Sequence, residues 1–166
     1  MLFRSGGFTG QTGVKDGQGA NYYAFEWGDA LVVVLDPFDF TTERARGGPN
    51  GSGNNRTKET LPPSDSSWAF TLGKAQYDWL ADTLSKSRAK WKFVFTHHLV
   101  GGVGGNEARG GVESAPFFEW GGRNADGSDG FKERRPGWAM PIHDLLVKNG
   151  VTAVFHGHDH LYVHSE

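Results

Sequence analysis

Apolar and polar positions follow two different periods along this chain. Two β-rich runs, residues 21–27 and 30–36, flank Gly28-Asp29, and a two-residue turn between such runs is typical of a β-hairpin. Residues 31–35 are apolar without interruption, which predicts a strand that is covered on both of its faces.

Helical and strand patterns alternate after residue 70. Apolar residues at i, i+3 and i+4 predict a helix over residues 72–85, with Thr71 as its N-cap. The remaining apolar segments predict a strand at 91–96, a helix at 141–149, and strands at 151–155 and 161–164. This alternation favours βαβ crossovers and an α/β fold.

Glycine and proline interrupt these segments. Glycine is concentrated in residues 44–53 and 101–137, and because neither stretch has a repeat we interpret both as loops. Pro141 fits the first turn of the second helix, and Gly150 fits its C-terminal cap.

The composition excludes several classes of protein. The 166 residues are 37% hydrophobic and 13% aromatic, which is typical of one folded domain. A net charge of -2 without a basic run argues against nucleic-acid binding, and no apolar stretch approaches the roughly 20 residues of a membrane span. The absence of Cys excludes thiolate metal sites. It leaves the compartment open, and we favour an extracytoplasmic location.

Two histidine-rich segments each follow a predicted strand. His97 and His98 come directly after the strand at 91–96, and Gly157-His158-Asp159-His160 follows the strand at 151–155. In open α/β sheets the loops at the carboxyl ends of the strands collect the active site. Imidazole suits divalent Zn, Fe and Mn-type ions, and Gly157 leaves room for a sharp turn. The alternative is an exposed loop with incidental histidines.

Other residues are weaker candidates for a role in the site. Four arginines lie in or beside the second Gly-rich stretch: Arg109, Arg123, Arg134 and Arg135. Arginine pairs well with phosphate oxygens, and the alternative is that each is a solvated loop charge. We interpret Asp36 as a loop or capping residue. The residues interpreted as structural or packing residues are His143, His156, Trp120 and Trp138.

The order of these segments resembles a known family. The chain has a strand that ends in His97-His98, then a Gly-rich loop, a helix, and a strand that ends in Gly157-His158-Asp159-His160. This order resembles the last two motifs of the calcineurin-like metallophosphoesterases, which include purple acid phosphatases. Residues 71–80 and 90–95 resemble that family as well. The resemblance implies an α/β fold that is part of a β-sandwich flanked by helices (α/β/β/α).

The resemblance also implies a site and a reaction. Two divalent ions (Mn, Fe or Zn) would serve phosphoester hydrolysis, with His97 and His158 on one ion and His160 on the other. His98 would donate a proton to the leaving group. The family usually has His-x-Pro at the first motif, whereas this chain has His97-His98-Leu99.

Three further motifs of that family are not found in the sequence. They are Asp-x-His, Gly-Asp-x-x-Asp and Gly-Asn-His-Glu/Asp; Gly28-Asp29 has Val32 at the position of the second Asp, and Gly105-Asn106-Glu107 lacks the His. We therefore expect residues 21–166 to be the C-terminal part of one domain whose N-terminal half is missing. Residues 1–20 are expected to be a poorly defined tail, foreign at 1–5. Weak metal binding and little turnover are expected of the chain alone.

Three alternatives stay open. The first is a mononuclear enzyme with three histidine ligands, which would need only His97, His158 and His160. The second is a non-catalytic metal-binding or interaction module. The third is a carbohydrate- or protein-binding domain whose histidines are incidental.

Overall fold

The computed structural model describes residues 5–8, 21–37, 40–41, 68–97, 99 and 112–157. These residues form one sheet with helices packed on it, which confirms the α/β class. The strands are β1 (Ser5–Phe8), β2 (Tyr23–Trp27), β3 (Ala30–Val34), β4 (Trp91–Thr96) and β5 (Ala153–His156). The helices are α1 (Gly73–Lys86), α2 (Phe118–Gly121), α3 (Phe131–Arg134) and α4 (Ile142–Lys148), with a 3-10 turn at Val112–Ser114. Within this described part, no helix has the length and apolar character that crossing a bilayer requires.

The strands lie in chain order across the sheet. β1 pairs with β2 and β2 with β3 in antiparallel fashion, whereas β3–β4 and β4–β5 are parallel. Trp27 pairs with Ala30 across the predicted hairpin turn, where Gly28 has a φ of +58°, a conformation that favours glycine. α1 and α4 connect the parallel strands, so the predicted crossovers are confirmed. β1 was not predicted from the sequence.

The hydrophobic core lies between one face of the sheet and helices α1 and α4. Strand residues Leu31, Val33 and Val94 are fully buried there, and they belong to one cluster with Leu80 of α1 and Ile142 of α4. The burial of these side chains is the main force that holds the helices on the sheet.

The opposite face of the sheet is open among the described residues. Val34 pairs with both Tyr23 and Phe95, and Phe95 pairs with Phe155, so the four side chains form one row on this face. Five aromatic side chains are exposed on what we term the open face: Tyr23, Trp27, Trp91, Phe95 and Phe155. Val32 and Val34 are only half-buried. The prediction that residues 31–35 are covered on both faces is therefore wrong for the described chain.

The ends of the helices differ slightly from the prediction. The N-cap residue of α1 is Leu72, and not Thr71 as predicted. The hydroxyl of Thr71, one residue before the N-cap, still accepts a hydrogen bond from the N–H of Gly73 in the first turn at 2.8 Å. Pro141, with φ −53° and ψ 154°, is the N-cap residue of α4 and not a member of its first turn. Gly150 has a φ of +66° just past the end of α4, which confirms its capping role.

One lysine joins the carboxyl ends of both long helices. The Nζ atom of Lys92 in β4 donates to the carbonyl oxygen of Leu84 at 2.9 Å and to that of Asn149 at 3.0 Å. These carbonyls belong to the last turns of α1 and α4, where a positive charge also interacts favourably with the helix dipole. The sequence gives no sign of this contact, because Lys92 lies in an otherwise apolar strand.

Residues 112–137 are an ordered segment, so interpreting all of residues 101–137 as a loop is wrong for this part. Trp68, Phe118 and Phe131 form a second small core, in which the rings of Trp68 and Phe118 meet edge to face at 5.6 Å. Trp120 is buried, and the ring of Trp138 stacks on that of Tyr77 at 4.0 Å. Both tryptophans are packing residues, as predicted.

A buried ion pair fixes this segment to the start of α1. Glu119 is fully buried and accepts hydrogen bonds from the hydroxyl of Thr71, the N–H of Leu72 at 2.9 Å and Nε of Arg135. Arg135 also donates to the carbonyl oxygen of Trp68. The buried carboxylate of Glu119 therefore has a partner for each of its two oxygens.

Candidate functional site

The candidate site lies where three parallel strands end at one edge of the sheet. The N–H of Leu35, just past β3, donates to the carbonyl oxygen of Phe95 at 2.8 Å, which joins β3 to β4. The N–H of Gly157, just past β5, donates to the carbonyl oxygen of His97 at 2.8 Å. This second bond joins Gly157, the first residue of the second histidine-rich segment, to His97 of the first at the carboxyl edge of the sheet, where the predicted topology places both.

An open cleft of about 450 Å³ lies at this edge. Its walls come from the last residues of all three parallel strands and the residues that follow them: Val34, Leu35, Phe95, Thr96, His97, Phe155, His156 and Gly157. His97 and His156 are both exposed, whereas Thr96 is buried. The cleft is therefore a shallow apolar concavity that is open to solvent, with two imidazoles at its rim.

Asp36 is held beside this edge by a buried glutamine. The carboxamide of Gln76 accepts from the N–H of Asp36 at 2.9 Å and donates to the carbonyl oxygen of Asp36 at 2.8 Å. Gln76 is fully buried on α1. Continuing the β3–β4 register by two residues places Asp36 level with His97. One side chain therefore binds both the N–H and the carbonyl oxygen of Asp36 next to the cleft.

Of the four predicted site residues, the structure describes His97. It lies at the cleft rim, one residue past β4. The other three, His98, His158 and His160, lie outside the described residues. Within the described ranges, no three His, Asp or Glu side chains lie close enough together to hold an ion. The described part of the site therefore contributes one candidate imidazole, on a rim that is open to solvent.

Two residues of the second histidine segment differ from the prediction. Gly157 does not have a positive φ, and a Cβ added there would lie 3.6 Å from the carbonyl oxygen of His97, an ordinary contact. Its position does not require glycine for the close approach. His156 was interpreted as structural, but it is exposed and lines the cleft. Its exposure follows from its place as the last residue of a strand at the sheet edge.

Arg123 and Arg135, two of the predicted arginines, lie in different surroundings. Arg135 is an internal partner of Glu119 and packs against the rings of Trp68 and Trp138, with centroid distances of 5.2 and 5.7 Å. Arg123 is exposed, and Arg109 lies outside the described residues. The interpretation of Arg135 as a solvated charge or a phosphate ligand is therefore wrong, because its guanidinium is used within the fold.

Two buried acids have shifted pKa values, and both serve the fold. Burial raises the pKa of Glu119 above 4.5, while Arg135, Thr71 and the N–H of Leu72 oppose the shift. Burial likewise raises the pKa of Tyr77, whose hydroxyl donates to the carbonyl oxygen of Met140 at 2.8 Å. Neither group lines the cleft.

Comparison with known proteins gives one family. A family model described as PhoD-like phosphatase matches residues 10–163, so the chain belongs to the PhoD-like phosphatase family. Neither the curated proteins nor the solved structures contain a significant match. The family is of the metallophosphoesterase type and its members are metal-dependent phosphatases. The match thus confirms the metallophosphoesterase part of the resemblance; it does not extend to calcineurin-like purple acid phosphatases.

Proposed function

We propose that this member of the PhoD-like phosphatase family serves metal-dependent phosphoester hydrolysis with a site at the carboxyl edge of β4 and β5. The observation that carries the proposal is the 2.8 Å hydrogen bond from Gly157 to His97. It fixes the residue before His158 to the backbone of His97, beside a cleft of about 450 Å³. The family assignment supplies the reaction class.

The proposed ligands are His97, His158 and His160, in a dinuclear arrangement like that of the calcineurin-like enzymes. When bound, divalent ions such as Zn, Mn or Fe supply Lewis-acid polarisation of the phosphoryl oxygens. His97 fits this role because its imidazole is exposed at the rim and its backbone is tied to the other segment. Three neutral imidazoles can hold one ion, but they provide no anionic bridge for a second.

The remaining residues of the site would bind and orient the substrate. Phe95 and Phe155 form an apolar wall, with ring centroids 4.9 Å apart, which suits the organic part of a phosphoester. His98, adjacent to His97 in the chain, is the proposed proton donor to the leaving oxygen. Removal of His98 is expected to slow the release of a poor leaving group more than that of a good one.

The test is a zinc titration by calorimetry on three proteins: wild type, His97→Ala and His143→Ala. His143 is an exposed histidine on α4 and is absent from the cleft, so it controls for the loss of any imidazole. We expect His97→Ala to weaken zinc binding at least about tenfold, since even the residues that only support a ligand are worth that much. Equal affinities in all three proteins would sink the proposal.

Hydrolysis of a chromogenic phosphoester in the same samples separates the alternatives. Weak zinc binding with little turnover by the isolated chain fits the partial ligand set. Tight one-to-one binding with turnover favours the mononuclear enzyme, and tight binding without turnover favours the non-catalytic metal module. No dependence on metal favours a carbohydrate- or protein-binding domain with incidental histidines.

A further inference from the structure

Asp36 is a carboxylate at the carboxyl edge of β3 that the proposed ligand set does not use. Burial alternates from residue 31 to residue 37, where the odd-numbered residues are buried and the even-numbered residues are half-buried. Because successive side chains of an extended chain lie on opposite faces, Asp36 lies on the same face as Val34, which lines the cleft. The carboxylate is therefore on the cleft side of the sheet.

His97 lies on the same face, at the end of the next strand. Phe95 and His97 are exposed, and the residue between them is buried. Phe95 pairs with Val34 of β3, so the same register places Asp36 beside His97. Neighbouring strands are about 4.8 Å apart, and zinc binds carboxylate oxygen and imidazole nitrogen at about 2.0–2.2 Å. Two such side chains on one face can therefore reach a single ion.

A buried glutamine extends the ordered edge of β3 as far as Asp36. The β2–β3 ladder ends two residues before Asp36, and the N–H of Leu35 donates to β4. The N–H and the carbonyl group of Asp36 therefore point to the side where β2 has ended. Gln76 makes the two bonds there that a partner residue in an antiparallel ladder would make, at 2.9 and 2.8 Å. This contact holds Asp36 in register with His97.

We propose that the carboxylate of Asp36 is a ligand of the ion that His97 binds. Since it concerns the same ion, this inference rests on the proposed function. A carboxylate supplies the negative charge that a set of neutral imidazoles lacks, and two histidines with one carboxylate form a known type of catalytic zinc site. β4 lies between β3 and β5, so Asp36 would serve the ion at His97 and would not bridge to a second.

Calorimetric titrations of the full chain with manganese chloride and with zinc chloride test this inference. The proteins are wild type, Asp36→Asn, His97→Ala and the control Asp29→Asn, which changes an exposed aspartate just before the other end of β3. Carboxylate ligands suit manganese, whereas imidazole suits zinc. We therefore expect Asp36→Asn to weaken manganese binding at least about tenfold, the effect of losing even a residue that only supports a ligand. Zinc binding should weaken by a smaller factor.

The two reference variants fix the scale of the comparison. Asp29→Asn should bind both ions as the wild type does, and His97→Ala should bind both more weakly. If Asp36→Asn does not fold, Asp36→Ser takes its place, because serine can make a similar local turn contact without the charge.

The loop or capping role predicted for Asp36 from the sequence gives a different result. Loss of a cap would lower the thermal midpoint of the metal-free protein and would change the affinity for both ions by the same factor, which would overturn the inference. The rise in midpoint on addition of manganese, measured against each variant's own metal-free protein, separates metal binding from stability.

The failure of this inference and the failure of the proposed function are distinguishable. A manganese affinity that His97→Ala lowers but Asp36→Asn leaves unchanged would overturn the role of Asp36 and leave the proposed function standing. Affinities that neither substitution changes, or a wild type that binds neither ion, would overturn both.

Discussion

At the scale of single residues, chemistry can be predicted from the sequence more readily than geometry. The histidine segments were found because each follows an apolar run, and His97 does lie at the sheet edge. Its hydrogen bond to Gly157 joins residues 60 positions apart, and only the parallel register of β4 and β5 brings them together. Gln76 fits the predicted apolar helix face, but its partner Asp36 lies 40 residues away.

Replacing Gln76 with Leu tests the support of the cleft. The change leaves the N–H and the carbonyl group of Asp36 without their buried partner, and we expect the free energy of unfolding to fall by about 1–3 kcal/mol. Urea denaturation followed by circular dichroism measures this loss. An unchanged midpoint would mean that the backbone at Asp36 finds another partner and that Gln76 does not hold the edge.

At the scale of elements, long periodic segments were predicted well and short ones were not. The ends of α1 and β4 agree with the sequence pattern to within one residue. α1 has 14 residues and β4 has 6, so each is long enough to show a clear period. α2 and α3 have four residues each, which is too short for a helical period. The segment that contains them is held by contacts such as Arg135 to Trp68, 67 residues apart, which no local pattern can predict.

The lysine shared by the two long helices gives a prediction at this scale. Lys92→Met keeps the aliphatic stem but removes the charge that binds Leu84 and Asn149. We expect a loss of about 1.5–3 kcal/mol, the usual contribution of a hydrogen bond to a charged group. Lys132→Met, at an exposed position on α3, is the control, and thermal unfolding of both is the measurement. Equal losses would contradict a specific role for Lys92.

The buried Glu119 gives a pH dependence. Since burial raises its pKa above 4.5, the folded state binds a proton more tightly than the unfolded chain does. The free energy of unfolding therefore falls as pH rises from about 4.5 through the raised pKa. In Glu119→Gln this titrating group is absent, so the fall should be shallower in that window.

Urea midpoints of wild type and Glu119→Gln, from about pH 4 to pH 7, measure this difference. Comparing the two proteins removes the contribution of all other carboxyl groups. A wild type that gains stability relative to Glu119→Gln as pH rises would contradict the raised pKa. It would mean that Arg135 stabilises the ionised form by more than burial costs.

At the scale of the whole molecule, the fold class and the metallophosphoesterase type agree with the predictions from the sequence. The predicted second sheet of a sandwich is not among the described residues. The α/β crossovers follow from the alternation of periods, and the family match covers residues 10–163. The described structure has one sheet, covered on one face. Apolar positions along a strand cannot distinguish a face that contacts helices from a face that the described residues leave open, because both are apolar.

The central claim is that the carboxyl edge of β4 and β5 is a metal site, and metal content per chain tests it most directly. Wild type and a His97→Ala/His158→Ala/His160→Ala variant would be purified with added zinc or manganese and measured by mass spectrometry. Three imidazoles without an anionic bridge predict at most one ion per wild-type chain and none in the variant. Equal metal in both proteins would contradict the site, and two tightly held ions per wild-type chain would contradict the ligand set.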